Sequence, residues 1–356
     1  MGGCNLHLPA TFSDGVEWIV RIPQQHVRLP PLALHRAIVT SEIATLKYLK
    51  AIDLPIPKVF DIQLSESNPA GVSFVVCEFV RGEPCMWKQP TAAQRTHFIS
   101  QYARVLVRLS EHPFSSIGVL QSEGGEIGPV LDPEFVDCYD DTYTRIGPFP
   151  SSREYYHHLL RTILAEVRDG RRYISCPVDG YLVHLQLLEV IDLLYPTESQ
   201  ASDGQFFIKH PDDKGDNFLV DEDFNITALI DWERTKTCPP EEAFAGPTFT
   251  LDVGDFYDGV NTLSADETTL AKALQALERP DLATYVVNGK KYQRFQFCVG
   301  GRIENMEEFW PLFRSLMEAV GLREWVSWDA WKSHALQKSV YGSDLVIQEL
   351  LKRTLM

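Results

Sequence analysis

The stretch from Phe206 to Trp232 constrains this chain more than any other. It opens on Phe206-Phe207-Ile208, a short apolar, β-prone run that reads as a buried strand ending at Lys209-His210. The polar octet His210-Pro211-Asp212-Asp213-Lys214-Gly215-Asp216-Asn217 follows, and its Pro and Gly cannot continue a strand. Phe218-Leu219-Val220 reads as the next strand, Asp221 to Asn225 as a turn, and Ile226 to Ile230 as the returning arm of a hairpin. That arrangement brings Asn217 and Asp231 to the same end of the hairpin, beside the loop that carries Asp212.

The side chains gathered this way suit one kind of chemistry. A carboxylate, an amide five residues on and a second carboxylate fourteen residues beyond the amide match phosphoryl transfer. There, one acid orients a hydroxyl while an Asn–Asp pair holds Mg²⁺ against the phosphates. Mg²⁺ takes hard oxygen ligands and draws only one or two of them from protein, which Asn217 and Asp231 can supply. Asp, Asn and Gly are also ordinary loop residues. The weight therefore rests on the whole constellation between its two apolar strands, not on His-x-Asp alone.

His-x-Asp-x-x-x-x-Asn followed by Ile230-Asp231-Trp232 resembles the aminoglycoside phosphotransferase and choline kinase branch of the protein-kinase-like fold. The resemblance implies an α+β, two-lobed protein-kinase-like fold. A small β-rich N-lobe, residues 1–82, would cover the nucleotide. A larger, mostly helical C-lobe, residues 83–356, would carry the catalytic loop 210–217 and the metal-binding hairpin 218–233. It further implies Asp212 as the base for the acceptor hydroxyl, Lys214 at the γ-phosphate and His210 as a buried brace. Asn217 and Asp231 would bind Mg²⁺, with ATP as donor. Asp213 departs from the protein-kinase pattern, which has an apolar residue there.

The N-terminal third offers a second charged pair. Residues Val16 to Ile22 alternate in β fashion behind an Asp14-Gly15 turn and end near Arg21. Pro23, Pro30 and Pro31 break the chain. Thr40-Ser41 offer N-cap chemistry for a helix through about Lys50, which places Glu42 in its first turn. Glu42, Leu46 and Leu49 share one helical face, so the carboxylate points inward and needs a cationic partner. Arg21 is the candidate. In kinase-like folds such a pair holds the α- and β-phosphates, and Arg21 stands where Lys is usual. A plain structural ion pair is the alternative.

Gly2-Gly3 before a strand from Leu6 to Phe12 resembles the tip of a phosphate-covering turn, with the strand ahead of it missing from the N-lobe; a frayed terminus is the alternative. Val72 to Val80 reads as a central strand. Its end, Cys77-Glu78-Phe79-Val80, matches where the family reads adenine by backbone hydrogen bonds at Glu78 and Val80. Arg81-Gly82-Glu83-Pro84 reads as the hinge between lobes.

Beyond it, Phe98, Ile99, Tyr102, Val105, Leu106 and Leu109 recur at helical spacing. Gly118 to Gly128 reads as a Gly-rich loop, Glu154 to Val167 and Leu182 to Leu194 as helices, and the chain after residue 264 as mainly helical. Asp252, Asp255 and Asp258, or Glu304, Glu307 and Glu308, are spaced to meet an amine, although a solvated face is the plainer reading. Trp325 and Trp328, with Trp331 nearby, are spaced to line an aromatic pocket, although core is the plainer reading. Tyr155-Tyr156-His157-His158 lacks a third metal ligand, so no metal beyond Mg²⁺ is expected. Cys238-Pro239-Pro240-Glu241-Glu242 follows Asp231 too closely for a protein kinase's activation segment, which disfavours protein substrates. That spacing, with Arg21 for Lys, looks most like fungal members of the family.

Bulk composition narrows the setting. The 356 residues, 44% of them apolar, suffice for a large core, and no run of eighteen apolar residues predicts a membrane helix. The start, Met1 to His7, is neither a secretory signal nor a myristoylation site. Seven scattered cysteines without a C-x-x-C pair fit a reducing, cytoplasmic setting. A net charge of −16 argues against nucleic acid as the main partner. It is compatible with a cationic acceptor, and equally with a role in solubility. The sequence thus predicts an ATP- and Mg²⁺-dependent kinase of a small-molecule hydroxyl, with no membrane, nucleic-acid or obligate protein partner. The alternative is a catalytically weak pseudokinase that binds nucleotide or serves as a scaffold.

Overall fold

The computed structural model describes residues 5–24, 30–87, 89–136, 138–139, 142–196, 204–301, 303 and 305–354. Gly2, Gly3 and Glu304 lie outside the described residues.

Strands β1 (Asn5–Thr11) and β2 (Glu17–Pro23) form a hairpin in which His7 sits opposite Arg21. Helix α1 (Leu32–Ala51) follows, then β3 (Val59–Gln63) and β4 (Phe74–Glu78). The four strands make one antiparallel sheet in the order β1-β2-β4-β3, so β4 is internal. Ile43 of α1 packs with Val75 and Cys77 of β4 against this sheet, while Leu34 and Ile38 pack on Val119, Leu131 and Val136 further along the chain. One helix thereby touches both halves of the molecule.

Helix α1 begins eight residues before the predicted Thr40 cap, with Pro31 as N-cap. Thr40 and Ser41 lie in its interior. The Thr40 hydroxyl donates to Arg36 O at 2.8 Å, and Thr45 Oγ1 likewise to Ser41 O at 2.9 Å. A hydroxyl satisfied by the carbonyl one turn back has no need of a cap position. Glu42 is therefore in the third turn, not the first.

After β4 the chain joins a second sheet. Strand β5 (Glu83–Pro84) pairs with Leu219 and Val220 much further along the chain, so half of the predicted hinge is tied into a ladder. Helix α2 (Ala92–Ser110) starts at a Thr91/Gln94 capping box, and all six of its predicted apolar positions are buried. The predicted Gly-rich loop is instead a hairpin of β6 (Val119–Leu120) and β7 (Ile127–Gly128). A Cβ on Gly118 would fall 2.0 Å from Gly128 O, so these glycines allow two backbones to meet. A smaller hairpin, β8 (Cys138–Tyr139) and β9 (Thr142–Tyr143), precedes α3 (Ser152–Arg168) and α4 (Pro177–Leu194).

Then comes the predicted strand–loop–hairpin: β10 (Phe207–Ile208), β11 (Phe218–Val220) and β12 (Ile226–Leu229), with β13 (Thr237–Cys238) pairing back on β10. The remainder is helical, from α5 (Pro240–Ala243) and α6 (Val253–Tyr257) to the last helix, Leu345–Thr354. Trp331 is buried, and Trp328 packs against it and Phe313, so that stripe is core. Asp252 caps α6 through Asp255 N, and Asp255 and Asp258 are exposed. No helix among the described residues is long and apolar enough to cross a membrane.

His184, within α4, is fully buried. Its Nδ1 donates to Gly180 O at 2.6 Å, and its Nε2 has no partner among the described residues. Burial pushes its pKa down to about 4 from 6.5. Below pH 6.5 the unfolded chain takes up a proton that the folded chain refuses until about pH 4, so this stability is lost as pH falls through that window. The expected loss is roughly 3 kcal/mol. Denaturant unfolding at stepped pH checks it, and His184→Leu should flatten that part of the curve.

Candidate active site

The octet sits on an aromatic floor. Phe98 and Tyr102 of α2, Phe218 of β11 and Phe249 contact one another at ring separations of 5.1–5.7 Å. Each such pair adds about 0.5–1.5 kcal/mol beyond its buried area. The His210 ring lies 5.5 Å from Phe218 and 4.5 Å from Trp232. Trp232 is itself buried and donates its indole N–H to Leu229 O. Gly215 adopts φ 114° at the loop's tightest point, where a Cβ would lie 3.0 Å from Cys85 O. Only glycine takes this conformation easily.

Four hydrogen bonds close a ring around the loop. Asp212 N–H donates to His210 Nδ1 (3.1 Å), and His210 Nε2–H donates to Ile230 O (2.8 Å). Ile230 N–H donates to Asn217 O (2.9 Å), and Asn217 Nδ2 donates to Asp212 O (3.0 Å). The first two fix one neutral imidazole tautomer, and burial holds the His210 pKa below its ordinary value. The ring binds Asp212, Asn217 and the residue before Asp231 into one unit. It leaves the Asp212 and Asp231 carboxylates and Asn217 Oδ1 outside its bonds. Asp231 has φ 61°, a left-handed backbone that Asp tolerates better than most residues. Such outliers gather where function overrides local comfort.

Lys214 Nζ stands 2.8 Å from Asp212 Oδ2 and 3.5 Å from Asp216 Oδ2, and its pKa is raised first by the hydrogen bond to Asp212. Asp213, the departure from the apolar pattern, is 4% exposed. Its Oδ1 accepts from Thr248 N (2.8 Å) and its carbonyl from Phe249 N (3.0 Å). It staples the loop to the following segment, a role invisible in sequence because Thr248 is distant along the chain.

Across the cleft, Arg21 and Glu42 form a two-point pair, Nη1–Oε1 at 2.7 Å and Nη2–Oε2 at 3.2 Å. Glu42 is 3% exposed and Arg21 17%. Glu42 keeps Arg21 firmly protonated, and Asp231 adds to that field. A cavity of about 70 Å³ beside the pair is also lined by Glu233 and Arg234. Two neighbours escaped the sequence reading. His7 faces Arg21 across β1–β2, with its pKa lowered by burial and then by Arg21. Glu233 is raised by burial and then by Glu42. Strand register and the Asp231-Trp232-Glu233 run were the available signals.

At the end of β4, Glu78 N–H donates to Lys58 O (2.7 Å) and Phe79 N–H to Glu17 O (3.3 Å), so both of these amides are already bonded within the lobe. Val80 follows outside the strand. Among the described residues no group of three or more His, Cys, Asp or Glu could hold a metal. A cation at the loop would have to use the Asn217 and Asp231 oxygens together with those of a substrate, a donor set of hard oxygens that suits Mg²⁺.

Comparison with known proteins bears on this arrangement. A model of the phosphotransferase enzyme family matches residues 11–246. A subtelomeric hrmA-associated cluster protein of Aspergillus fumigatus is 30% identical over 165 residues, 44% of this chain and 29% of that protein. A second such protein, from another strain, is 29% identical over 164 residues. The chain thus spans 29% of the length of these relatives. Among solved structures it is similar to ADP-bound aminoglycoside phosphotransferase APH(2'')-Ib, with a TM-score of 0.48 and 11% identity over 89% of this chain and 95% of that one. It is also similar to a thermostable mutant of aminoglycoside phosphotransferase APH(4)-Ia in complex with AMP-PNP and hygromycin B. There the TM-score is 0.47 and the identity 16%, over 90% of this chain and 91% of that one.

Proposed function

The chain belongs to the phosphotransferase enzyme family, and from that premise we propose that it is an ATP-dependent kinase of a small-molecule hydroxyl. Residues 1–82 act as the nucleotide-covering lobe and residues 83–356 carry the acceptor. The observation that carries this reading is the closed ring of hydrogen bonds that binds Asp212, Asn217 and the backbone before Asp231 into one rigid unit.

Asp212 receives the proton of the acceptor hydroxyl. The hydroxyl oxygen bonds to the γ-phosphorus as the bond to the β–γ bridging oxygen breaks, and ADP leaves. Asn217 and Asp231 hold Mg²⁺, which when bound neutralises phosphate charge. Lys214 and Arg21 add positive charge on the two sides of the donor, and His210 fixes the loop. Positioning and electrostatics supply most of the acceleration.

The test is calorimetry with ATP and Mg²⁺ alongside ATP turnover over a panel of polyols, sugars, hydroxy acids and amino alcohols. Nucleotide binding with no acceptor turned over would favour a catalytically weak nucleotide-binding module. Asp231→Asn is expected to weaken Mg²⁺-dependent nucleotide binding roughly tenfold, since a carboxylate ligand loses its charge. Asn also tolerates the left-handed backbone at this position, so the melting temperature should stay close to the parent's. Titration of ATP at several Mg²⁺ concentrations reads the difference, and unchanged Mg²⁺ dependence would remove Asp231 from the metal site.

A further inference from the structure

A cavity of about 660 Å³ adjoins the catalytic loop, walled by His210, Pro211 and Asp213 on either side of Asp212. Its charged lining is unevenly satisfied. The three carboxylates each accept at least one bond from the protein, and the one oxygen among them that is buried without a hydrogen-bond partner among the described residues, Asp213 Oδ2, has Lys209 Nζ 3.9 Å away. Asp213 Oδ1 takes Thr248 N at 2.8 Å, and Asp132 Oδ1 takes Glu134 N at 3.0 Å. Glu242 Oε1 takes the hydroxyls of Tyr195, at 2.9 Å, and Tyr156.

The cations have less. The nearest carboxylate oxygen to Lys209 Nζ is Asp213 Oδ2 at 3.9 Å, beyond hydrogen-bond reach. Lys236 Nζ stands 5.4 Å over the Tyr155 ring and, among the described residues, has no carboxylate within 4 Å. Burial pulls its pKa down, but Tyr155, Glu242 and Asp132 carry it above the ordinary lysine value, so it stays charged. Gln296 Nε2, also on this lining, is buried without a hydrogen-bond partner among the described residues. Lys236 has Tyr155 as its hydrogen-bond partner but no carboxylate beside it among the described residues, and a buried amide donor left unmatched is costly unless a ligand completes it.

We propose that this pocket takes an acceptor that carries an anionic oxygen group, a carboxylate or a phosphate, beside the hydroxyl to be phosphorylated, and that Lys236, Lys209 and the Gln296 amide hold that group. This rests on the kinase reading above and gives its acceptor a chemical class. It runs against the cationic acceptor suggested by the net charge of −16. Charge across the whole surface is screened beyond about 8 Å at physiological salt, whereas ammonium groups inside a cavity act at contact.

The experiment separates the two claims. Calorimetry first measures a non-hydrolysable ATP analogue with Mg²⁺; no binding there overturns the kinase reading itself. Inorganic sulfate, the simplest oxyanion probe, is then titrated into protein saturated with the analogue, so that the phosphate sites are filled. Sulfate is expected to bind, with affinity lowered about tenfold or more in both Lys236→Met and Lys209→Met, and largely retained in Lys236→Arg. Analogue binding should be unchanged in all three. Should Lys236→Met fail to fold, Lys209→Met decides. No sulfate binding to the loaded protein, or binding equal in parent and Lys→Met variants, overturns the anionic acceptor while leaving the kinase reading intact.

Discussion

Asp212→Asn is expected to lower kcat by about 10²–10⁴-fold, with the KM for ATP nearly unchanged. The hydrogen-bond ring uses only the main-chain N–H and C=O of Asp212, so an isosteric amide leaves the loop standing. What disappears is the ability to accept a proton. The carboxylate is partly exposed and its protein partner is the exposed Lys214, so folding stability should move by no more than about 0.5 kcal/mol. Steady-state kinetics with the acceptor found by the panel, together with a melting curve, check both halves. A variant as active as the parent would refute the assigned role.

Arg21→Met is expected to destabilise the protein by about 3 kcal/mol, the lower end for a broken buried ion pair, because Arg21 keeps some solvent contact. The substitution strands the Glu42 carboxylate, 3% exposed on the inner face of α1. The double variant Arg21→Met/Glu42→Leu removes both charges and should regain most of that loss. Nucleotide affinity should recover in neither, since the cation facing the phosphates is gone. Denaturant unfolding and ATP calorimetry on the single and double variants form the measurement. If the double variant binds ATP like the parent, the pair is structural only.

The strand–loop–hairpin from Phe207 to Leu229 could be read from the chain because its signals are local. Apolar runs, a Pro/Gly-punctuated loop and a polar turn specify backbone states over a few residues each. Local pattern misled where a residue type has two uses. Thr40 and Ser41 looked like caps, but both lie inside a longer helix, where the Thr40 hydroxyl bonds to Arg36 O and the Ser41 carbonyl accepts from Thr45. Gly118 and Gly128 looked like a flexible loop, but they let two strands pack closely. In both cases the deciding partner was a carbonyl that the sequence does not display.

The chain by itself determined which side chains are available for chemistry and that Asp212, Asn217 and Asp231 belong to one strand–loop–hairpin, since covalent connection and short-range periodicity suffice for that. Only the tertiary structure decided that Arg21 meets Glu42 at two points and that Asp213 staples the loop to Thr248. It alone brought Lys209, Lys236 and Gln296 to one cavity. Those contacts join residues from 21 to 87 positions apart, and their strength depends on burial, which no local pattern encodes.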